Sequence, residues 1–282
     1  MPLPDDATRA EQFHLAFLHV LGTAVRPADY VLKGGVNLRY FFGSVRYSQD
    51  IDLDVIGGAG WRLEEAVDRV LIGRALTLLL HGPGLTVVDV AKPKQTDTTR
   101  RWTLGLQVAG RSVPIRTKIE FSGRRGDEPP DERFELRRVS DTVVQPYGVV
   151  PPVVQRYSAP SMVEQKVAAL ALRSETKARD VFDLDLLLRE RARSFPTVPL
   201  LTTHVQVAIA RARELTDASF EAQVLPFLDP SVVPLYTAPG AWAHLRHYVA
   251  DQLDDLRQPL AVDEPGLDRP RTPRGPRLGG GS

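Results

Sequence analysis

Apolar residues recur along this chain with two different periods, and the changes from one to the other mark out its elements. Between residues 8 and 24, Phe13, Phe17 and Val20 fall on one stripe at helical spacing, which predicts an amphipathic helix. YVLKGG, residues 30–35, reads as a short turn into a helix beginning near Val36. IDLDVIG alternates apolar and acidic positions as a strand does, closed by Gly57 and Gly58. Residues 61–80 then carry the helical period without a break, stopped by HGPG, and three strand-like runs follow: LTVVDVAK, WTLGLQVA and VPIRTKIEF. Residues 123–160 carry GDEPPDE and VVPPVVQ, which is loop chemistry with room for one or two short strands. From Ser161 onward the period is helical, over 161–174, 178–193, a run near 199–215, and 241–256.

This order predicts an α/β (α+β) unit over residues 1–155, a helical unit over 156–260, and a tail over 261–282. The tail is rich in Pro, Gly and Arg, nearly lacks apolar residues, and reads as disordered. With no cysteine in the chain, disulfides, thiolate metal sites and cysteine nucleophiles are excluded. Charge is balanced, 36 basic against 35 acidic side chains, so partners are indicated by where the charges gather and not by their sum. No stretch approaches the roughly 18 uninterrupted apolar residues of a membrane helix, and MPLPDDATRAEQ is not a signal segment. A cytoplasmic enzyme or binding protein, with no membrane partner, is the expectation.

The strand at 50–55 raises the chemical question. Side chains alternate across a strand, so Ile51, Leu53 and Val55 share one face while Asp50, Asp52 and Asp54 share the other. Alternation alone reads as the solvated face of an edge strand. Yet clustered like charges raise one another's pKa unless cations or donors join them. The run at 113–121 has the same design, with Val113, Ile115, Thr117, Ile119 and Phe121 on one side and Arg116, Lys118 and Glu120 on the other. If the two strands are neighbours, Glu120 joins Asp50 and Asp52, and three carboxylates on a rigid sheet suit one or two Mg2+ ions. Upstream, Gly34 and Gly35 open a helix where backbone amides and a positive helix end could clamp a phosphate.

Four short motifs in order carry a resemblance. KGG (33–35), RYSQDIDLD (46–54), EQKVAAL (164–170) and KARDVFDL (177–184) resemble the signature of the AbiEii/AbiGii-type nucleotidyltransferase toxins, members of the DNA polymerase β-like superfamily. Val36 stands where that family often has a small hydroxyl residue. The resemblance implies a mixed-sheet nucleotidyltransferase fold followed by a helical domain, with the active site in the cleft between them. It implies transfer of a nucleoside monophosphate from an NTP to an acceptor hydroxyl, by the toxin of a toxin–antitoxin or phage-defence pair. A cognate antitoxin and an RNA acceptor, the 3′ end of a tRNA in some members, are the implied partners. The alternative from another class is a non-catalytic protein that binds NTP or contacts an antitoxin on the same fold.

Carried onto this chain, Asp50, Asp52 and Glu120 are the expected metal ligands. Lys33, Gly34, Gly35, Arg46, Ser48 and Lys166 are the expected nucleotide contacts, Arg46 and Ser48 through donors aimed at triphosphate oxygens. Lys166 lies on or beside the apolar stripe of Val163, Val167 and Leu170, so it either snorkels from the core or enters a cleft. The motif favours the cleft. Asp180 is expected to orient Lys166 or the acceptor hydroxyl. Asp183, one turn away, reads as a structural ion pair able to reach Arg179, and Asp54 as structural too. His244 and His247 fall one turn apart on an expected solvated helix face. Arg100, Arg101, Arg111, Arg116, Arg124, Arg125, Arg137 and Arg138 form an RNA-backbone surface if gathered, and ordinary solvation if scattered.

Overall fold

The structure, a computed structural model, describes residues 4–56, 60–123, 133–194 and 202–257. Helix α1 (Pro4–Ala24) opens the chain, followed by strand β1 (Tyr30–Lys33), helix α2 (Gly34–Phe41) and strand β2 (Asp50–Val55). Helices α3 (Gly60–Ile72) and α4 (Arg74–His81) lead to strands β3 (Leu85–Gln95), β4 (Thr99–Val108), β5 (Ile115–Gly123) and β6 (Phe134–Arg138). After the short α5 (Asp141–Val144), β7 (Val153–Tyr157) completes a seven-stranded sheet of order β3-β4-β5-β2-β1-β7-β6. The sheet is mixed: β2 runs parallel to β5 and β1 parallel to β7, and the other neighbours are antiparallel. The rest is helical: α6 (Ala159–Leu172), α7 (Ala178–Ser194), α8 (Thr202–Glu214), α9 (Asp217–Gln223), α10 (Val233–Tyr236) and α11 (Ala241–Arg257).

Two buried clusters organise these elements. One face of the sheet, with Leu32, Ile51, Leu53, Trp102, Ile119 and Phe121, packs on Phe13 and Phe17 of α1 and on α3 and α4. The second cluster joins α6 to α9 and α11, and Val31, Leu38 and Tyr157 belong to it. Strand β1 therefore contributes Tyr30 and Leu32 to one cluster and Val31 to the other, which is why it reads as a continuous apolar run. The helices cover the second face of the sheet at β1 and β7 and leave Asp50 and Asp52 of β2, with Lys118 and Glu120 of β5, partly accessible.

Several expectations are corrected here. The chain enters α2 from a strand, and the helix begins at Gly34 instead of Val36. The helix expected over 61–80 is two helices, because Gly73 takes an extended conformation between them and a Cβ there would lie 2.7 Å from the carbonyl of Arg69. Val113 lies before β5 and is exposed, so the buried face of that strand is carried by Thr117, Ile119 and Phe121. The edge-strand reading of Asp50–Val55 fails because β2 lies between β5 and β1. The tail at 261–282 lies outside the described residues. Among those residues no helix is long and apolar enough to cross a membrane.

Burial along the acidic row of β2 is graded. The side chains of Asp50 and Asp52 are 36% and 34% exposed, whereas that of Asp54 is 1% exposed. Asp54 accepts from the Lys33 ammonium of β1 and from the Tyr157 hydroxyl of β7 at 2.6 Å, so one carboxylate fastens three adjacent strands. Asp54→Ala leaves the Lys33 charge without that acceptor; a loss of about 3–5 kcal/mol is expected, measured by chemical denaturation.

Candidate active site

The parallel pairing of β2 with β5 sets Asp50 beside Lys118 and Asp52 beside Glu120. All four side chains project from the face opposite Ile51 and Ile119. The Lys118 ammonium lies 3.5 Å from Asp50 Oδ2, 3.8 Å from Asp52 Oδ1 and 3.5 Å from Glu120 Oε2, so the three carboxylates share one cation. Arg101, opposite Glu120 on β4, donates to Glu120 Oε2 at 2.6 Å. Burial pushes the Asp50 carboxyl up, Lys118 offsets part of that, and the Asp52 charge adds to the rise. For Glu120, burial is outweighed by Lys118 and Arg101, and its carboxyl lies below the ordinary range. Burial lowers Lys118 while the three carboxylates raise it, and the carboxylates win.

The glycine turn packs directly on this row. Gly34 has φ +68°, and a Cβ built on it would lie 3.1 Å from Asp52 Oδ2. A Cβ at Gly35 would lie 2.8 Å from Ser48 Oγ and 3.1 Å from Arg46 Nη2. Only glycines bring the start of α2 so close to the carboxylates and to the loop before β2. That loop is held from the other half of the chain: the Tyr47 amide donates to the Phe227 carbonyl at 2.8 Å, and the Asp229 amide to the Val45 carbonyl at 2.9 Å. Ser48 Oγ donates to the Asp50 carbonyl at 2.9 Å, and the Ser48 side chain faces the cleft.

Behind the carboxylates lies a buried chain of alternating charges. The Arg46 guanidinium grips both oxygens of Asp183 at 2.9 and 3.0 Å through Nη2, and Lys166 Nζ reaches Asp183 Oδ2 at 2.6 Å. Lys166 also donates to Asp180 Oδ1 at 2.9 Å, and Arg173 bonds the second oxygen of Asp180. Asp183 thus pairs with Arg46 and Lys166, not with Arg179 as expected; Arg179 faces the cleft beside Asp50. Burial pushes the Asp183 carboxyl up, but Arg46 and Lys166 hold it below the usual range. Lys166, lowered by burial and raised more by Asp180 and Asp183, stays an ammonium ion.

Two adjoining cavities, of about 480 and 100 Å³, share Gly34, Asp52, Lys166 and Arg173 and form one cleft between the sheet and α6–α7. Every expected site residue lines it: Lys33, Glu120 and Asp180 in the larger part, Gly35, Arg46, Ser48 and Asp50 in the smaller. A cavity of about 630 Å³ lies elsewhere, among Glu11, Arg39, Tyr47 and Tyr147, where Arg39 already pairs with Glu11 at 2.8 Å and Tyr147 bonds the same carboxylate. The cleft is the better candidate because its carboxylates are accessible and gathered. Their oxygens are the hard donors that a divalent metal prefers, so the donor set fits Mg2+. As they stand, no three His, Asp or Glu side chains among the described residues are arranged to hold a metal ion together; the Lys118 ammonium occupies the space between the carboxylates instead.

Sequence reasoning did not foresee the central place of Lys118, although its spacing from Glu120 in RTKIEF put both on one face. Nor did any local pattern point to Tyr157 or to segment 225–229. The described arginines of 100–138 are scattered: Arg100 on β4 pairs with Glu64, Arg111 in the loop between β4 and β5 with Asp6, and Arg138 on the edge strand β6 with Asp141. Arg124 and Arg125 lie outside the described residues. His244 and His247 are exposed.

The chain matches the family model described as the nucleotidyl transferase AbiEii toxin of type IV toxin–antitoxin systems over residues 18–263. No curated protein matches it. Its fold is similar to the crystal structure of JHP933 from Helicobacter pylori, with TM-score 0.56 and 19% identity, covering 88% of this chain and 94% of that one. A second H. pylori structure, described provisionally as a nucleotidyltransferase, has TM-score 0.55 and 20% identity, with 90% of this chain and 99% of that one covered. At these identities the likeness is one of fold.

The charge chain gives a pH signature. Because the Asp183 pKa is depressed in the folded state, its stabilisation is full above the ordinary value of 3.8 and is lost as pH falls through the folded value. Because that of Lys166 is raised, its share is full below 10.5 and is lost as pH rises through the folded value. Asp183→Asn is expected to cost about 3–5 kcal/mol at neutral pH. In urea denaturation that gap between wild type and variant narrows below pH 3.8. Gly35→Ala, which must displace Ser48 or Arg46, is expected to lower stability by about 1–3 kcal/mol and to weaken NTP binding in an equilibrium titration.

Proposed function

Since this chain belongs to the AbiEii family of nucleotidyltransferase toxins from type IV toxin–antitoxin systems, we propose that its cleft transfers a nucleoside monophosphate from an NTP to an acceptor hydroxyl, with Mg2+ held by Asp50, Asp52 and Glu120. The observation that carries this reading is the register of β2 on β5, which aligns Asp52 with Glu120 while Asp50 reaches the same ammonium. When bound, two such ions would neutralise the triphosphate and activate the acceptor hydroxyl.

The chain's own residues position and neutralise. The amides at the start of α2, freed of side chains by Gly34 and Gly35, face the phosphates, and Ser48 supplies a hydroxyl beside them. Lys166 keeps its positive charge at the cleft floor because Asp180 and Asp183 flank it, and Asp180 fixes its direction; both therefore count as positioning groups as well as charges. Arg46, bonded to Asp183 through Nε and Nη2 and to the Tyr47 carbonyl through Nη1, serves by holding the loop that carries Ser48. Lys33, bonded to Asp54, adds positive charge near the glycine turn. Catalysis on this reading is in-line positioning and electrostatic neutralisation.

Family membership implies an NTP substrate and an antitoxin partner. We take the acceptor to be RNA, at the 3′ end of a tRNA, as the motif resemblance suggests. Because the described arginines are dispersed, the rim of the cleft is the place for an RNA end to approach, with Arg179 and Arg173 lining it.

The test incubates the protein with each labelled NTP, Mg2+ and total cellular RNA and follows label transferred to a defined RNA. Asp52→Ala should fall to background, and Lys166→Ala should lose on the order of 10² to 10³ in rate. Transfer by Asp52→Ala at the wild-type rate would overturn the mechanism. Magnesium-dependent NTP binding with no labelled acceptor would favour a binding protein on this fold.

A further inference from the structure

The cation that stands among the three carboxylates is part of this chain. Lys118 Nζ is within 3.8 Å of an oxygen of each of Asp50, Asp52 and Glu120. Its place follows from the strand register, which seats Lys118 beside Asp50 two residues before Glu120 meets Asp52. The contacts are long for charge-assisted hydrogen bonds, whose N⁺–H···O⁻ distances run about 2.7–2.9 Å. Lys118 is shared among three partners and bound tightly to none. Its side chain is 26% exposed and lines the cleft, so the four-carbon stem has room to move. The two buried cations of the cleft differ: Arg46 and Lys166 are 7% and 10% exposed and are held at 2.6–3.0 Å by Asp183.

We infer that Lys118 is a resident counter-ion that competes with divalent metal for these carboxylates and couples metal loading to nucleotide binding. The inference rests on the proposed metal site and adds a function for a residue that site does not otherwise use. A metal ion arriving alone must push an ammonium away from three carboxylates, so its affinity is low. A metal ion arriving with a triphosphate brings a new anionic partner for the displaced ammonium into the same cleft, so the displacement costs less. Thermodynamic reciprocity then requires that metal and nucleotide strengthen each other's binding. In the absence of metal, Lys118 also restrains the repulsion between Asp50 and Asp52, a task Arg101 cannot share because it bonds Glu120.

Mn2+ is the probe, with free Mn2+ followed by its EPR signal, and no turnover is needed. Lys118→Met should bind Mn2+ alone at least tenfold more tightly than wild type, about 1.4 kcal/mol, while Lys118→Arg stays near wild type. A non-hydrolysable NTP analogue should tighten Mn2+ binding in wild type more than in Lys118→Met. Without metal the Met variant should melt at a lower temperature and recover on Mn2+ addition; Lys118→Gln serves if Met does not fold. Equal Mn2+ affinity in wild type and the neutral variants, weakened in both by Asp52→Asn, overturns the counter-ion role and leaves the metal site standing. No effect of Asp52→Asn on Mn2+ binding in any background overturns the metal site, and the counter-ion role with it.

Discussion

Carboxylates crowded on one face of a sheet persist only if positive charge is brought to them, and most of the site follows from that requirement. Asp50, Asp52 and Asp54 occupy alternate positions of one strand, and each meets a different solution. Asp54 is buried and closed by Lys33 and Tyr157. Asp50 and Asp52 stay accessible and share Lys118 with Glu120. The gradient from structural to available carboxylate runs along six residues of β2, and it is set by where the helical half covers the sheet.

That cover is itself electrostatic as well as apolar. Four buried charges, Arg46, Asp183, Lys166 and Asp180, with the exposed Arg173 at the end of the series, join the loop before β2 to α6 and α7. Buried ion pairs add little net stability compared with apolar packing, but they are costly to break and specify which groups meet. Here they fix one wall of the cleft against the other. Two antiparallel backbone hydrogen bonds between 45–47 and 227–229 reinforce the same junction. The loop with Ser48 is held from both sides, which is what a phosphate contact needs to be preorganised.

Much of this was legible in the order of residues. The outward row Asp50, Asp52, Asp54 and its counterpart Lys118, Glu120 follow from strand alternation, since a period of two leaves no freedom about which face a side chain takes. The helices of the second half follow from the helical period in the same way; that period put Lys166 on or beside an apolar stripe, and the motif, not the period, favoured the cleft for it. The motif order carried the family and the reaction class. Errors arose where a single residue overrode a pattern: Gly73 split a helix whose periodicity continues through it, and the apolar run of β1 was short enough to be read as a turn.

The sequence by itself determined the faces, because the side-chain direction of a strand or helix is local geometry. It could not determine the partners. That β2 pairs with β5, that Asp52 is in register with Glu120, and that Asp183 takes Arg46 in place of Arg179 are contacts between residues 68 to 137 positions apart. Such pairings are decided by how whole layers pack, through burial summed over many side chains. Lys118 shows the division most clearly. Its spacing put it on the acidic face, but only the parallel register of two strands seated its ammonium among three carboxylates.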